Sequence, residues 1–392
     1  MKMKNIDKKT LKIGIAAIII CAVTFIWFSL RPGLMGTLHW HQGIFFAYMM
    51  LLLTALLPLI FLLINILKTN KATIILSKVF SIFSMVLWII IYVALMILPR
   101  LPIDNSGLNL LSQKEPLPVS ENASEKDLLA HYAFASDPHW GSGNSNAEAR
   151  TKTMQQIDSR DYDAFFCLGD ISEVGMVPPI MQSAVNDIRD NLKNTKSLII
   201  PGNHDFIVNG YPCFKNAFMQ KGDKKYFRMD NGTIHMIFLY MVWDDAELSK
   251  AEEKWLIKQL EEIPQEDTVI VLSHCYVLGS GYYDSAAGKN WGDIPSVVKR
   301  VCPILEKYGV DLVLTGHNHF FEFLEKDDVD YMVLGAMGGK LDKDLVNPSP
   351  YSTWLNNDDF GWVDMKVYKD NLKLTVYKYD GTVLTTKKIA TK

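Results

Sequence analysis

Three stretches in the first hundred residues contain no charged side chain at all: 13–30, 43–67 and 79–98. Each reaches or approaches the ~18–25 residues that cross a hydrocarbon core about 30 Å thick. Their lack of charge predicts three membrane helices. The first run follows a Lys-rich start, as a secretory signal would, but no A-x-A-like cleavage site comes after it and two further runs do. Acidic residues are equally scarce here. Residues 1–100 hold eight Lys, two Arg and a single acid, Asp7, for a formal charge of +9, which leaves −12 for the rest. An acidic soluble part disfavours nucleic acid, whose binding is dominated by phosphate neutralisation. Small phosphate compounds held through metal ions stay open. The five cysteines set little: Cys21 lies in the first run, and Cys167, Cys213, Cys275 and Cys302 allow three pairings that spacing does not choose among. Cys167 and Cys275 sit in apolar strand runs and are expected as buried thiols.

Basic residues orient the chain. Lys2, Lys4, Lys8, Lys9 and Lys12 precede the first run, and Lys68, Lys71 and Lys78 lie between the second and third. The intervening loop has only Arg31, and the third run exits beside Arg100 alone. The positive-inside rule therefore predicts a multi-pass cell-membrane protein with a cytoplasmic N-terminus and everything after Leu98 extracytoplasmic. Residues 1–98 read as a membrane domain, the Pro-, Ser-, Asn- and Glu-rich 99–126 as a linker, and 127–392 as a soluble domain. In the first outside loop, His39-Trp40-His41 reads as an interfacial anchor with bystander histidines.

Strands and helices alternate in the soluble part. Strands are expected at 128–136, 164–168, 197–200, 234–242, 268–273 and Leu312–Thr315, with helices at 146–157, 180–192, 249–262 and 294–308. The helix from Ser249 opens on a Ser-Lys-Ala-Glu capping box. Short strands at 331–334, 362–368, 372–379 and 382–388 follow, the last two joined by an Asp380-Gly381 hairpin turn. The pattern is α/β, with ligands expected at the carboxyl ends of strands.

Five clusters follow five of these strands: Asp137-Pro138-His139, Gly169-Asp170, Gly202-Asn203-His204-Asp205, His274 and Gly316-His317-Asn318-His319. They contain five of the nine histidines. Carboxylates and imidazoles are the ligands divalent metals take near neutral pH, and two metals sharing a carboxylate sit about 3.5–4 Å apart. Asp137 and His139 can hold one metal, His317 and His319 one ligand for each of two, and Asp170 can bridge. Asn203 offers a neutral oxygen. His204 is a candidate proton donor oriented by Asp205. Taken singly, an Asp-x-His or a Gly-Asp is ordinary turn chemistry. Five in order, each behind a strand, are not.

The blocks Asp137-Pro138-His139, Gly169-Asp170-Ile171-Ser172-Glu173, Gly202-Asn203-His204-Asp205, His274 and Gly316-His317-Asn318-His319 resemble those of the calcineurin-like metallophosphoesterase superfamily. The resemblance covers roughly residues 128–389 and leaves out the membrane part. Glu173 departs mildly, standing where Asp is common. The resemblance implies a four-layer αββα sandwich, here preceded by three transmembrane helices. It also implies two divalent or trivalent ions (Mn, Fe or Zn). One would be held by Asp137, His139, Asp170 and His319, the other by Asp170, Asn203, His274 and His317. A metal-bridging hydroxide would attack phosphorus, with His204 stabilising the transition state or protonating the leaving oxygen.

The expected function is hydrolysis of a phosphate ester at the membrane surface, on a phosphorylated small-molecule or lipid substrate, including lipid-linked or cell-envelope compounds. The rivals are a phosphodiesterase or phosphatase for soluble nucleotides or phosphoproteins, and a catalytically silent membrane receptor or scaffold. Residues 279–293, with Tyr282, Tyr283, Lys289 and Trp291, read as a loop beside the site. Trp140-Gly141-Ser142-Gly143 reads as a flexible segment near the phosphate.

Overall fold

The computed structural model describes residues 7–31, 33–40, 42–120, 125–241, 248–284, 289–290 and 292–391. The chain divides into two compact units, Met1–Leu101 with Ile207–Asn209, and Pro102–Phe206 with Gly210–Lys392.

Among its described residues, the first unit contains four α-helices: α1 (Lys8–Ser29), α2 (Leu34–Trp40), α3 (Gln42–Leu67) and α4 (Lys71–Ile97). Asp7 caps α1 by accepting from the Lys9 and Thr10 amides, and Asn70 forms a capping box with Thr73 at the start of α4. Three of these helices are long and apolar enough to cross a membrane. Small residues of α1 and α4 are buried, Gly14, Ala17 and Cys21 on the first and Ser77, Ser81 and Ser84 on the second, and α3 buries Pro58, Leu62 and Asn65. Their outward faces carry Ile19, Val23, Phe46, Met50, Val79 and Ile90, all exposed. Helices apolar all round are either buried in a protein core or membrane spans. Helix α2 was not anticipated. His41 lies outside the described residues, as do the side chains of His39 and Trp40, so the expected anchor falls outside what is described.

The second unit opens with β1 (Leu128–Ala135), α5 (Ala147–Asp158), β2 (Ala164–Cys167), α6 (Pro178–Asn191) and β3 (Ser197–Ile199). It continues through α7 (Tyr211–Phe218), β4 (Phe227–Asn231), β5 (Ile234–Phe238), α8 (Lys250–Glu261), β6 (Thr268–Leu272), β7 (Gly281–Asp284) and β8 (Lys289–Asn290). Then come α9 (Pro295–Tyr308), β9 (Leu312–Thr315), β10 (Phe321–Lys326), β11 (Val329–Leu334), β12 (Leu345–Asn347) and β13 (Ser352–Asn356). The unit closes with β14 (Gly361–Tyr368), β15 (Asn371–Lys378) and β16 (Val383–Ala390).

Two mixed sheets result, in the orders β16-β15-β14-β1-β2-β3 and β13-β10-β11-β9-β6-β5-β4. β1, β2 and β3 run parallel, as do β5, β6, β9 and β11. Alternation along the strands builds the layers. Tyr132 and Phe134 of β1 and Ile270 and Leu272 of β6 enter one core between the sheets. Ala133 and Ala135 face a second core under α5, α6 and α7, and Val269 and Val271 face a third under α8 and α9. Helix, sheet, sheet, helix is the four-layer order.

Three expectations change. Among its described residues, segment 99–126 forms no strand or helix beyond a short turn at Leu98–Arg100, yet Leu111 and Leu117 are buried in the core between the sheets and Leu111 N donates to Ser197 O at 2.8 Å. Much of the expected linker is therefore part of the folded unit. Residues 279–293 are not simply a loop, because β7, β8 and β12 form a small third sheet. At α8, Ser249 accepts from Glu252 N, but the Glu252 carboxylate reaches Tyr240 N at 2.6 Å, so only half of the capping box serves the helix.

Candidate metal centre

The five clusters leave the carboxyl ends of β1, β2, β3, β6 and β9, three from one sheet and two from the other. The backbone there is unusual. Asp137, His139, Asp170 and His317 have φ of 57°, 49°, 53° and 71°, the left-handed region that L-residues seldom adopt. Such conformations persist only where the surroundings enforce them, and they cluster at functional sites. Here the loops enforce each other: Asp137 N donates to Gly169 O, His139 N to Asp170 O and Gly316 N to His274 O, at 2.9–3.1 Å. Gly169, at φ 100°, has to be glycine, since a Cβ would lie 2.6 Å from both Gly202 N and His274 Nδ1.

Two groups of donor atoms converge. In the first, Asp137 Oδ1 lies 3.4 Å from His319 Nε2 and 3.8 Å from His139 Nε2, which is 3.4 Å from Asp170 Oδ2. In the second, Asn203 Oδ1 lies 2.9 Å from both His274 Nε2 and His317 Nδ1, and Asp170 Oδ1 is 3.4 Å from His274 Nε2. Asp170 reaches both groups with different oxygens. All seven residues that the sequence singled out as ligands are therefore brought together.

These atoms suit cations. Asp137 Oδ1 and His139 Nε2 are buried without a hydrogen-bond partner, a costly state for polar atoms. His274 Nδ1 donates to Leu168 O at 2.7 Å, and His319 Nδ1 to Lys340 O at 2.6 Å, which leaves their Nε2 lone pairs turned inward. An Nε2 lone pair facing the Asn203 oxygen at 2.9 Å needs positive charge between the two. Bonds of about 2.1 Å to one ion put neighbouring ligand atoms roughly 3.0–3.4 Å apart, close to the spacings seen here.

The charges point the same way. Burial opposes protonation of His139, His274 and His319, but the Asp137 and Asp170 carboxylates override it, lifting His139 well up and His274 to about 9. Burial and the charge on His274 push His317 down to about 3. Asp137 and Asp170 are held below the usual carboxylate range, because the histidines outweigh the cost of burial. Metal ions displace protons from such ligands, so occupancy falls as the pH is lowered.

His204 and Asp205 differ from expectation. His204 Nδ1 bonds the carbonyl of Glu173 at 2.8 Å, and its own amide donates to Asp170 Oδ1 at 2.8 Å. The Asp205 carboxylate instead accepts from the amides of Ile171, Ser172 and Gly202 and from Ser172 Oγ. It fastens the Asp170 loop to the Asn203 loop, while the Glu173 carbonyl orients His204. Burial and the Asp170 charge raise Asp205 to about 6.

Sequence reasoning passed over three supports. Glu173 Oε2 accepts from His139 Nδ1 at 2.8 Å, Asp342 Oδ2 accepts from His319 N, and the Tyr276 ring lies over His317 with centroids 5.8 Å apart. Only Glu173 had a signal, its place in the Gly169-Asp170 block. Trp140 is not flexible: it is buried, donates to Asp187 at 3.0 Å and lies under Arg150. Glu173→Gln is expected to weaken metal binding about 10–100-fold, because the carboxylate fixes the His139 tautomer and raises its basicity. Competition with a fluorescent chelator measures this, and unchanged affinity would show that Glu173 does not support the ligand.

Residues 130–321 match the family model for calcineurin-like phosphoesterase. The chain is 24% identical over 190 residues to probable purple acid phosphatase 20 of Arabidopsis thaliana, covering 45% of this chain and 43% of that protein. Human tartrate-resistant acid phosphatase type 5 is 31% identical over 93 residues, 24% of this chain and 26% of its own length. The chain thus spans less than half the length of these curated relatives. Among solved structures, a purple acid phosphatase from yellow lupin (Lupinus luteus) seeds aligns with a TM-score of 0.57 at 16% identity, over 67% of this chain and 53% of that one.

Proposed function

The second unit of this chain belongs to the calcineurin-like metallophosphoesterase superfamily, and from that premise we propose that the protein is a metal-dependent phosphoesterase held at a membrane. The observation that carries this reading is the pair of donor groups joined by Asp170, with Asp137 Oδ1 and His139 Nε2 buried and unpartnered at one end. Asp137, His139, Asp170 and His319 would hold one ion, and Asp170, Asn203, His274 and His317 the other. Two bound ions, of manganese, iron or zinc, would polarise the phosphoryl oxygens and lower the pKa of the attacking water.

The chain's own residues do the rest. Asp205 fixes the loops of Asp170 and Asn203 in register. Nδ1 of His204 faces the Glu173 carbonyl and carries a proton, and burial lowers the pKa of the ring, so an Nε2 that takes up a second proton would pass it readily to the departing oxygen. A complete donor set favours an enzyme over a silent scaffold. The three apolar helices support membrane attachment. The Lys and Arg distribution supports a cytoplasmic N-terminus with the catalytic unit outside, where lipid-linked and cell-envelope phosphate esters are at hand.

The test uses the full chain in maltoside micelles, stripped with chelator and reloaded with Mn²⁺, acting on aryl phosphate mono- and diesters. Turnover that appears only after reloading supports the reading. Two bound ions and no turnover on either ester would overturn it.

A further inference from the structure

The short turn that carries His204 ends at Phe206, whose ring begins an aromatic group outside the metal ligands. Phe206 stacks on Tyr211 with centroids 4.7 Å apart at 8°, and meets Tyr240 at 5.6 Å and 73°. An ammonium already sits among the three rings. Lys225 Nζ lies 4.4 Å from the centroid of Tyr240, 4.8 Å from Tyr211 and 5.8 Å from Phe206, and donates to Tyr240 Oη at 3.1 Å. Among the described residues, no other cation is recorded over three rings.

Ring faces carry negative charge that attracts cations, and boxes of this kind recognise quaternary ammonium groups. A carboxylate adds to the attraction. Glu252 is bonded to the amide of Tyr240 at 2.6 Å, and its charge acts on Lys225 against the effect of burial. Lys225 is exposed, two residues before β4, while Phe206 is buried, so the lysine can swing away and leave the rings in place. A lysine laying its stem along apolar surface would give similar contacts. What separates the two cases is whether the box takes a free cation.

Resting on the phosphoesterase reading, we infer that Phe206, Tyr211 and Tyr240 form a subsite for a cationic head group on the substrate, a choline-type ammonium, with Lys225 as the internal ion that yields to it. The box begins two residues beyond His204 in the chain, and on this proposal its occupant is the group attached to the phosphate ester. Substrate choice would then rest on the group attached to the ester as well as on the phosphate itself.

Choline binding to the chelator-treated full chain in maltoside micelles, followed by calorimetry, tests this without requiring hydrolysis. Lys225→Ala is expected to bind choline about tenfold more tightly than the unmodified chain, since no internal cation competes. Adding Tyr240→Leu should abolish the gain, and the neutral isostere 3,3-dimethylbutanol should not compete. Competition by phosphatidylcholine but not phosphatidylglycerol in mixed micelles assigns the head group to a lipid, and competition by soluble phosphocholine alone assigns it to a free ester. No choline binding by Lys225→Ala, or equal binding of the isostere, overturns the proposal. The readings fail separately: intact aryl ester turnover with no choline binding removes only the subsite, and choline binding without any turnover removes only the phosphoesterase.

Discussion

Asp170→Asn is expected to release at least one of two bound metal ions and to lower aryl phosphate turnover at least about a thousandfold. The reason is geometric. Asp170 Oδ2 faces His139 Nε2 and Asp170 Oδ1 faces His274 Nε2, each at 3.4 Å, so this one carboxylate touches both donor groups. Asparagine keeps the shape and one oxygen, but it removes the charge and turns an NH₂ toward one of the groups. It can still accept from His204 N, which Asp170 now does at 2.8 Å, so the loop should stay folded. Elemental analysis of the purified variant and its turnover check the two halves together. A variant that keeps two ions and near-normal turnover would refute a shared carboxylate.

The second large effect separates binding from chemistry. His204→Gln should keep both ions, because the two donor groups do not include this ring, yet lower turnover about 10²–10⁴-fold. The loss should be steepest for alkyl esters, whose leaving oxygen needs a proton, and mildest for nitrophenyl esters, whose leaving group departs as the anion. Metal content fixes the first point, and a series of leaving groups the second. An equal loss across the series would remove proton donation from the role of His204. Loss of metal in this variant would instead make the ring a support of the ligand shell, through its packing against His139, with ring centroids 4.7 Å apart.

Much of this was legible beforehand because it is local. A run without charge longer than a bilayer core can only be a span or a buried helix, and no tertiary information is needed to see it. Strands ending at Asp137, Asp170 and His274 were visible because buried parallel strands read as short apolar runs. The third sheet was not. Strand β12 has three residues and pairs with β7 across more than sixty positions, a separation that no local pattern carries. The packing of Leu111 and Leu117 was hidden for the same reason, since isolated apolar residues in a Pro- and Ser-rich stretch have no period.

The site divides along the same line. The sequence by itself determined which side chains could bind metal, since residue type fixes donor chemistry, and it determined that they follow strands. Only the tertiary structure decided how they are held. The ring nitrogens of His204, His274 and His319 are aimed by the carbonyls of Glu173, Leu168 and Lys340. Every residue has a carbonyl, so nothing in the sequence marks these three. The exchange of tasks between Asp205 and Glu173 belongs here too: neighbours in sequence suggested a pair, and the turn at His204–Phe206 sends the two side chains to different partners. The ring box around Lys225 draws its members from four separate segments. Chain chemistry supplied the parts, and long-range folding chose which of them meet.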